Sequence, residues 1–240
     1  MCGGGLASLQ HMERNDKGCN VIAVIGDYHH QDENHININR SLEHCLRGKS
    51  MDYFWCSTSD VSVEKIQNCY GIWVASGSPY LDAQNVIEVL RYAREHNKRL
   101  LATCAGYQYM LIEYMRNMLD IREADTAEVS PENGYNVIQK LPCSMMNMFD
   151  DVYATGCLSK YASLVKRSVS EEFFACNYGF DEKHRDYFTQ ADMCVVAVSI
   201  NGDIRAIEHR YCDFYIGTMY LPQNSIARGT VHPLINGFLA

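Results

Sequence analysis

The chain has 240 residues, of which 47% are hydrophobic and 21% charged, and its net charge at pH 7 is −8. These values are typical of a globular protein with one substantial core. The negative charge argues against nucleic-acid binding, which usually needs a basic surface. No apolar run reaches the ~18 residues of a membrane span, and the N-terminus lacks the apolar region of a signal peptide.

The cysteine content bears on the compartment and on metal binding. The 11 cysteines include no Cys-x-x-Cys pair, and their number is odd. In a chain that can build a large core, this pattern indicates reduced thiols in the cytosol. We therefore expect a cytoplasmic protein without a metal site and without a cofactor.

The first residues differ in character from the rest of the chain. Residues 1–11 contain a glycine run without periodicity and end at the His11-Met12 junction, which a common cloning site leaves behind. We interpret residues 1–11 as a vector-derived or flexible leader, and residues 12–240 as a single domain.

Strands and helices alternate through the first half of the chain. Short apolar runs at residues 21–26, 52–57, 70–75 and 99–104 predict buried strands, and helical spacing follows each of them. This alternation predicts a parallel sheet with helices on both faces, whose ligands bind at the carboxyl ends of the strands.

The second half is less regular. Residues 118–193 show only short apolar runs without clean alternation. Residues 194–208 predict a β-hairpin through the Asn201-Gly202 turn. One more strand is predicted over residues 214–218 and a final helix over residues 233–239.

The strongest candidate for chemistry lies where the fourth strand ends. The strand ends on Cys104, Gly106 follows, and helical spacing resumes with Leu111. This pattern indicates a sharp strand-to-helix turn that presents a thiol, with Gly106 allowing a close backbone approach. A helix N-terminus favours the thiolate, so Cys104 is a candidate nucleophile. The alternative is a buried, inert cysteine.

A family resemblance begins at these residues. The run Cys104-Ala-Gly-Tyr-Gln108 resembles the Cys-x-Gly-x-Gln nucleophile elbow of class I glutamine amidotransferases. Residues 71–77 and 93–117 resemble more specifically the glutaminase domain of CTP synthase, and the similarity extends over nearly the whole chain. The chain is most similar to stand-alone proteins related to the C-terminal region of CTP synthase. The resemblance implies an α/β, flavodoxin-like three-layer fold with a mostly parallel central sheet.

The resemblance also implies roles for individual residues. The amides of Gly77 and Ala105 would stabilise an oxyanion formed at Cys104. The implied substrate-binding residues are Ser78, Gln108, Glu128, Asn177 and Tyr178. For residues 77–79 the alternative is an ordinary turn.

Two departures from the family pattern bear on activity. The family's Thr-Gln-Phe-His-Pro-Glu pattern reads Thr218-Met-Tyr-Leu-Pro-Gln223 here, so that Leu221 and Gln223 replace the histidine and the glutamate of the triad. Leucine cannot move a proton, and glutamine carries no charge. Asn177 stands where the family's arginine would bind a substrate carboxylate. We therefore expect negligible glutaminase activity.

A replacement base must come from elsewhere if the protein is an enzyme. His29, His30 and His35 follow the first strand and lie at the same sheet edge as Cys104. We select His35 as the partner of Cys104, because a residue at a helix start is held more rigidly than one within a loop. The alternative is that His35 only occupies the helix start and has no ionic role.

Three functions remain open at this stage. The first is a stand-alone cysteine hydrolase or acyl-transfer enzyme in which Cys104 forms a thioester with a small amide or acyl substrate. The second is a non-catalytic protein that binds a small ligand or regulates a partner. The third is a glutaminase subunit of a separate synthetase, which only the family resemblance favours. The chain has no phosphate-binding Gly-x-x-x-x-Gly-Lys-Ser/Thr loop, which agrees with the first function. The substrate and the oligomeric state, including a homodimer, stay undecided.

Overall fold

The computed structural model describes residues 20–188 and 192–240. Within these ranges the strands are β1 (Val21–Ile25), β2 (Asp52–Cys56), β3 (Gly71–Val74), β4 (Arg99–Thr103), β5 (Asp125–Thr126), β6 (Asn136–Ala154), β7 (Val169–Phe180), β8 (Met193–Val198), β9 (Ile204–His209) and β10 (Tyr215–Thr218). The α-helices are α1 (Glu33–Leu46), α2 (Val63–Ile66), α3 (Ala83–Glu95), α4 (Ala105–Met118), α5 (Lys160–Val165) and α6 (Pro233–Phe238). Two 3-10 helices span Glu182–Phe188 and Pro222–Arg228. The leader predicted over residues 1–11 lies outside the described residues.

The described strands form one sheet in the order β2-β1-β3-β4-β10-β9-β8-β6-β5, and β7 pairs with β6. The five strands β2, β1, β3, β4 and β10 are parallel to one another. The apolar runs of β1, β3, β4 and β10 are buried on both faces, whereas β2 at the edge of the sheet is mostly half-buried. Strands β9, β8, β6 and β7 continue the sheet in antiparallel pairing. The predicted α/β fold with a mostly parallel central sheet is confirmed.

The strand order places helices on both faces of the sheet. The chain moves from β1 to β2 in one direction and then crosses back to β3 and β4 in the other. Because such crossovers are right-handed, α1 lies on one face and α2 and α3 lie on the opposite face. Helix α3 packs against α4, and α1 packs against the 3-10 helix Pro222–Arg228.

Helices α1 and α3 begin at side-chain caps, and α2 and α3 are shorter than predicted. The carboxylate of Asp32 accepts a hydrogen bond from the backbone of Asn34 at the start of α1. Asp82 caps α3 in the same way through the backbone of Asn85. The helix expected over residues 61–69 is only the single turn of α2. Among the described residues, none of the helices is long and apolar enough to cross a membrane.

The largest departure from the sequence-based prediction is the hairpin of β6 and β7. These strands of 19 and 12 residues fall within residues 118–193, where only short apolar runs were visible. Most of β6 from residue 140 to residue 151 is exposed, so its sequence has no alternation of apolar and polar residues. The hydrogen-bonded ladder to β7 holds this segment extended. The hairpin predicted through Asn201-Gly202 is present as β8 and β9, with Gly202 at φ +91°.

A buried ion pair joins the two helices that flank the central sheet on one face. The guanidinium of Arg94 in α3 lies 2.7 Å from the carboxylate of Glu113 in α4, and their side chains are 6% and 0% exposed. We expect Glu113→Ala to lower the free energy of unfolding by about 3–5 kcal/mol, because it leaves the buried guanidinium with only the partly exposed carboxylate of Glu95, 3.7 Å away. Urea unfolding measures this, with Glu88→Ala on the exposed face of α3 as the control. Equal stability of the two variants would contradict the prediction.

Candidate functional site

Cys104 occupies a strained position between a strand and a helix. Strand β4 ends at Thr103 and α4 begins at Ala105. Between them Cys104 has φ +51° and ψ −106°, a conformation that costs a residue with a side chain about 1–3 kcal/mol. Its backbone N–H donates to the carbonyl of Thr218 on β10, at 2.8 Å. The neighbouring sheet strand therefore holds the turn in this conformation.

The glycine after Cys104 is required by a close backbone approach. A Cβ atom built on Gly106 would lie 2.5 Å from the carbonyl oxygen of Val74 at the end of β3. Real Cβ atoms essentially never approach so closely, so only glycine fits here without a shift. The strand–turn–helix arrangement expected from the sequence is present, with Cys104 at its turn.

A second turn lies at the carboxyl end of the adjacent strand β3. Gly77 in this turn has φ +111°, which favours glycine. The preceding carbonyl, that of Ser76, lies 2.9 Å from Nε2 of His35. A Cβ atom on Gly77 would lie 3.1 Å from the same nitrogen. Helix α1 thus packs directly on the turn that the resemblance assigned to oxyanion binding.

The contacts of His35 engage both of its ring nitrogens. The backbone N–H of His29 donates to Nδ1 at 3.0 Å, which leaves the proton on Nε2, where it is donated to the carbonyl of Ser76. The ring is 2% exposed and packs against Trp55, with 5.0 Å between the ring centroids. His29 and His30 are exposed, and their rings stack on each other. The structure therefore joins His35 to the backbone of the Ser76–Gly77 turn.

The thiol of Cys104 lies beside a second thiol. Its sulfur is 3.9 Å from the carbonyl oxygen of Ala175 on β7. A hydrogen bond with the neighbouring Cys176 raises the pKa of Cys104 well above its usual range, and burial and the carboxylate of Glu128 raise it further. The backbone N–H of Ala105 acts in the opposite direction. The N–H at the start of α4 thus favours the thiolate, but the larger influences outweigh it and favour the protonated thiol.

Cys176 is the site residue that reading the sequence missed. It lies between Ala175 and Asn177, in a stretch for which the family resemblance implies only substrate-binding residues. Its side chain is 6% exposed and points to the buried face of β7. No motif marks it, because the pairing of β7 with β6 and the position of β7 beside the elbow bring it to Cys104.

The two positions that the resemblance assigned to the triad histidine and glutamate follow β10. Leu221 is buried, and its backbone N–H donates to the carbonyl of Phe173 at 2.8 Å. The side chain of Gln223 is fully buried, and neither of its amide atoms has a hydrogen-bond partner among the described residues. Neither side chain can exchange a proton with Cys104 near neutral pH.

A buried histidine–carboxylate pair lies farther along β7. His232 Nε2 is 3.2 Å from a carboxylate oxygen of Glu172, and both side chains are buried. Glu172 is four residues from Cys176 on the same strand, roughly 13 Å along it, with the buried ring of Phe174 between them. This pair anchors α6 to β7, whereas the sulfur of Cys104 contacts the carbonyl oxygen of Ala175.

The predicted substrate-binding residues fall into two groups. Gln108 is 2% exposed and its Nε2 donates to the carbonyl of Tyr178, while its Oε1 has no partner among the described residues. Glu128 is partly buried and close enough to raise the pKa of Cys104, after the larger effects of Cys176 and burial. Asn177, by contrast, is exposed and bonded to Ser144.

Two further observations complete the description of the site. Ser78 is partly buried and precedes the cis peptide bond to Pro79. Within residues 20–188 and 192–240, no cluster of three or more histidine, cysteine, aspartate or glutamate side chains is arranged to hold a metal ion.

Fold and site together define a class of protein, and sequence comparison agrees. The family description "Glutamine amidotransferase class-I" matches residues 31–239, so the chain belongs to this family. The CTP synthase of Clostridium perfringens (strain 13 / Type A) is 24% identical over 235 residues. The CTP synthase of Staphylococcus aureus (strain NCTC 8325 / PS 47) is 25% identical over 236 residues. Each match covers 91% of this chain but 44% of the relative, so the chain spans less than half the length of these relatives.

Solved structures support the same fold. The glutaminase domain of Trypanosoma brucei CTP synthase, solved with bound acivicin, superposes with a TM-score of 0.84 at 19% identity and covers 92% of both chains. A glutamine amidotransferase from Thermotoga maritima superposes with a TM-score of 0.58 at 10% identity, covering 93% of this chain and 95% of its own. At these identities the likeness concerns the fold.

The thiol pair yields a direct prediction. We expect Cys176→Ala to lower the pKa of Cys104, because it removes the hydrogen bond that raises it most. At pH 8 the thiolate fraction, and with it the rate of iodoacetamide alkylation of Cys104, should then rise several-fold. Peptide mass spectrometry over a pH series measures this, with Cys143→Ala at an exposed cysteine as the control. An unchanged pH midpoint in Cys176→Ala would count against the assignment.

Proposed function

We propose that Cys104 takes an acyl group from a small amide or related acyl compound and holds it as a thioester. The observation that carries this proposal is the backbone conformation of Cys104, at φ +51° and ψ −106°. Strain of this kind persists only where the surrounding structure imposes it, and it is commonly found at sites where a side chain must be presented for reaction. A cysteine that merely fills a core would not need it.

The neighbouring amides suit the intermediate of such a reaction. Attack by the sulfur of Cys104 on an acyl carbon forms a carbon–sulfur bond and places negative charge on the acyl oxygen. The N–H groups of Gly77 and Ala105 would donate to that oxygen. The intermediate collapses when the bond to the leaving group breaks, and the leaving group departs with the proton of the thiol. Hydrolysis or transfer to an acceptor then frees the sulfur.

The protonated thiol restricts which acyl compounds react. Without a base at Leu221 or Gln223, the proton of Cys104 must pass to the leaving group itself. Esters and thioesters, whose leaving groups depart readily, therefore react faster than an unactivated carboxamide such as that of glutamine. This argument supports an acyl-transfer activity that differs from ordinary glutaminase activity.

We propose a positioning role for His35 in place of the base expected from the sequence. Its two nitrogens bind the backbone of His29 and Ser76, which fixes the turn that carries Gly77. An imidazole that already donates from Nε2 and accepts at Nδ1 has no free nitrogen with which to accept the proton of Cys104.

A second candidate function is ligand binding without catalysis. The raised pKa of Cys104, caused first by Cys176 and then by burial, favours it, because a protonated thiol is a weak nucleophile. A third is a subunit role with a separate synthetase, motivated by the CTP synthase relatives, of which this chain matches 44%. The acylation experiment below distinguishes the first two.

Acylation of Cys104 tests the proposed function. Treatment with p-nitrophenyl acetate should add one acetyl group to Cys104 that hydroxylamine removes, as seen by peptide mass spectrometry. Glutamine should release ammonia only at background, since the absent general base and acid are typically worth ~10²–10⁴-fold. Cys104→Ala is the negative control and Cys143→Ala the matched one. Acetylation spread evenly over other cysteines would favour the non-catalytic candidate, and Cys104-dependent ammonia release would show that glutaminase activity persists.

The role of His35 can be separated from that of a base. If His35 positions the turn, His35→Ala should leave the pH midpoint of Cys104 alkylation unchanged while slowing its acetylation, because the oxyanion donors lose their support. His35→Gln, which can still donate to the carbonyl of Ser76, should restore part of the rate. A changed pH midpoint in His35→Ala would instead support the pairing with Cys104 that the sequence suggested.

A further inference from the structure

Two buried polar atoms beside Cys104 lack hydrogen-bond partners among the described residues. These atoms are the hydroxyl of Ser76, which is 4% exposed, and Oε1 of Gln108, which is 2% exposed. Ser76 precedes Gly77 in the turn after β3, and Gln108 lies one helical turn beyond Cys104. Buried polar groups in native proteins are normally hydrogen-bonded, so these two atoms are free to bind a ligand at the Cys104 site.

The geometry of Gln108 specifies part of that ligand. Its Nε2 donates to the carbonyl of Tyr178 at 2.9 Å, which fixes the amide plane and leaves Oε1 as the free atom. An amide oxygen only accepts hydrogen bonds, whereas the hydroxyl of Ser76 can donate or accept. The ligand must therefore present an N–H or O–H group to Gln108. A carboxylate has no proton to offer there and would face the oxygen with its own negative charge.

The charges around the site are negative. Burial raises the pKa of Tyr80, and the carboxylates of Asp27 and Glu128 add to this effect. Glu128 also raises the pKa of Cys104, behind Cys176 and burial. Both buried side chains contact backbone carbonyls, that of Ala75 for Tyr80 and that of Ala175 for Cys104, and neither of these partners is a cation. Carboxylates therefore act on two separate groups at the site.

The positively charged residue that acts on the neighbouring Tyr109 is Arg116, and its guanidinium already has bonding partners. Arg116 donates from Nε to the carbonyl of Ala124 and lies 3.5 Å from the carboxylate of Asp125. Asp27, for its part, accepts hydrogen bonds from the hydroxyls of Ser57 and Thr58, which favour its ionised form. The ionised form of Asp27 is therefore stabilised, and Arg116 already has partners.

From the unpartnered acceptor and the surrounding carboxylates, we infer that the Cys104 site takes an uncharged or cationic acyl compound and discriminates against ligands that carry a free carboxylate. This inference rests on the proposed function and names the substrate class of the same site. It separates the ligand from glutamine, whose α-carboxylate would enter a field that repels it. A carboxamide or acyl group attached to a short chain with a neutral or ammonium end meets both requirements.

Three five-carbon amides that differ only at the far end test the inference. They are 5-aminopentanamide with an ammonium end, pentanamide with a methyl end, and glutaramate with a carboxylate end. Binding to the full chain carrying Cys104→Ser is measured by ligand-observed NMR, so that the result does not depend on acylation. The ammonium and methyl compounds should bind at least about tenfold more tightly than glutaramate, as expected for one unit charge a few ångströms from a partly buried carboxylate.

A matched pair of variants identifies the source of the discrimination. Adding Glu128→Gln should reduce the difference in affinity between 5-aminopentanamide and glutaramate. Adding Glu132→Gln, at an exposed residue four positions away, should leave the affinities in the same order and ratio. Raising the salt concentration from about 0.05 M to about 0.5 M should also reduce the difference in affinity in the protein that carries Cys104→Ser alone. This second measurement keeps the test decisive even if Glu128→Gln unfolds.

Two results would overturn the inference. One is binding of glutaramate as tight as that of the other two amides, and the other is no binding of any of the three at millimolar concentration. The acetylation of Cys104 by p-nitrophenyl acetate is a separate measurement. If the amides bind in the expected order but Cys104 is not acetylated, the acyl-transfer function is rejected and the ligand class stands. If Cys104 is acetylated but the amides do not bind in that order, the ligand class is rejected and the acyl-transfer function stands.

Discussion

The position of Cys104 depends on three adjacent parallel strands that end at the same edge of the sheet. Strand β4 carries the residue, β10 binds its N–H through the carbonyl of Thr218, and β3 packs the carbonyl of Val74 beneath Gly106. The strained φ of Cys104 is a consequence of these contacts. Since β3 also carries the Gly77 turn and β10 leads into residues 221–223, the same three strands position the elbow, this turn and residues 221–223.

Helix α1 braces this edge of the sheet from one face. His35 holds the carbonyl of Ser76, and farther along the helix Asn37 donates to the side chain of Asn224 and Ser41 to the carbonyl of Gln223. One helix thus connects the turn after β3 with the segment after β10. His35, the candidate base in the sequence, makes one of these contacts between α1 and the sheet edge. Its ring is accordingly buried and hydrogen-bonded at both nitrogens.

The site combines the geometry of its family with a different electrostatic character. The elbow and the turn with Gly77 lie at the same sheet edge as the thiol of Cys104. A working amidotransferase also needs a base for this thiol and a cation that binds the substrate carboxylate. Here the thiol has a second thiol and a carboxylate as neighbours instead. Cysteine nucleophiles are usually activated by a nearby cation or imidazole, which lowers their pKa. At Cys104 the hydrogen bond with Cys176, burial and Glu128 raise it. The chain therefore combines the fold of its family with a site whose electrostatics disfavour the thiolate.

Much of the fold could be read from the sequence, and so could the position of the elbow. The buried strands and the spacing of Cys104, Gly106 and Gln108 are local patterns, and local patterns report on burial and on tight turns. The β6–β7 hairpin could not be recognised, because most of β6 is exposed and its conformation is set by pairing with β7. The nature of the site was equally hidden. Contacts between residues distant in sequence, such as Cys104 with Cys176 and His35 with Ser76, determine which groups are charged and which nitrogens are free, and only the folded chain brings these residues together.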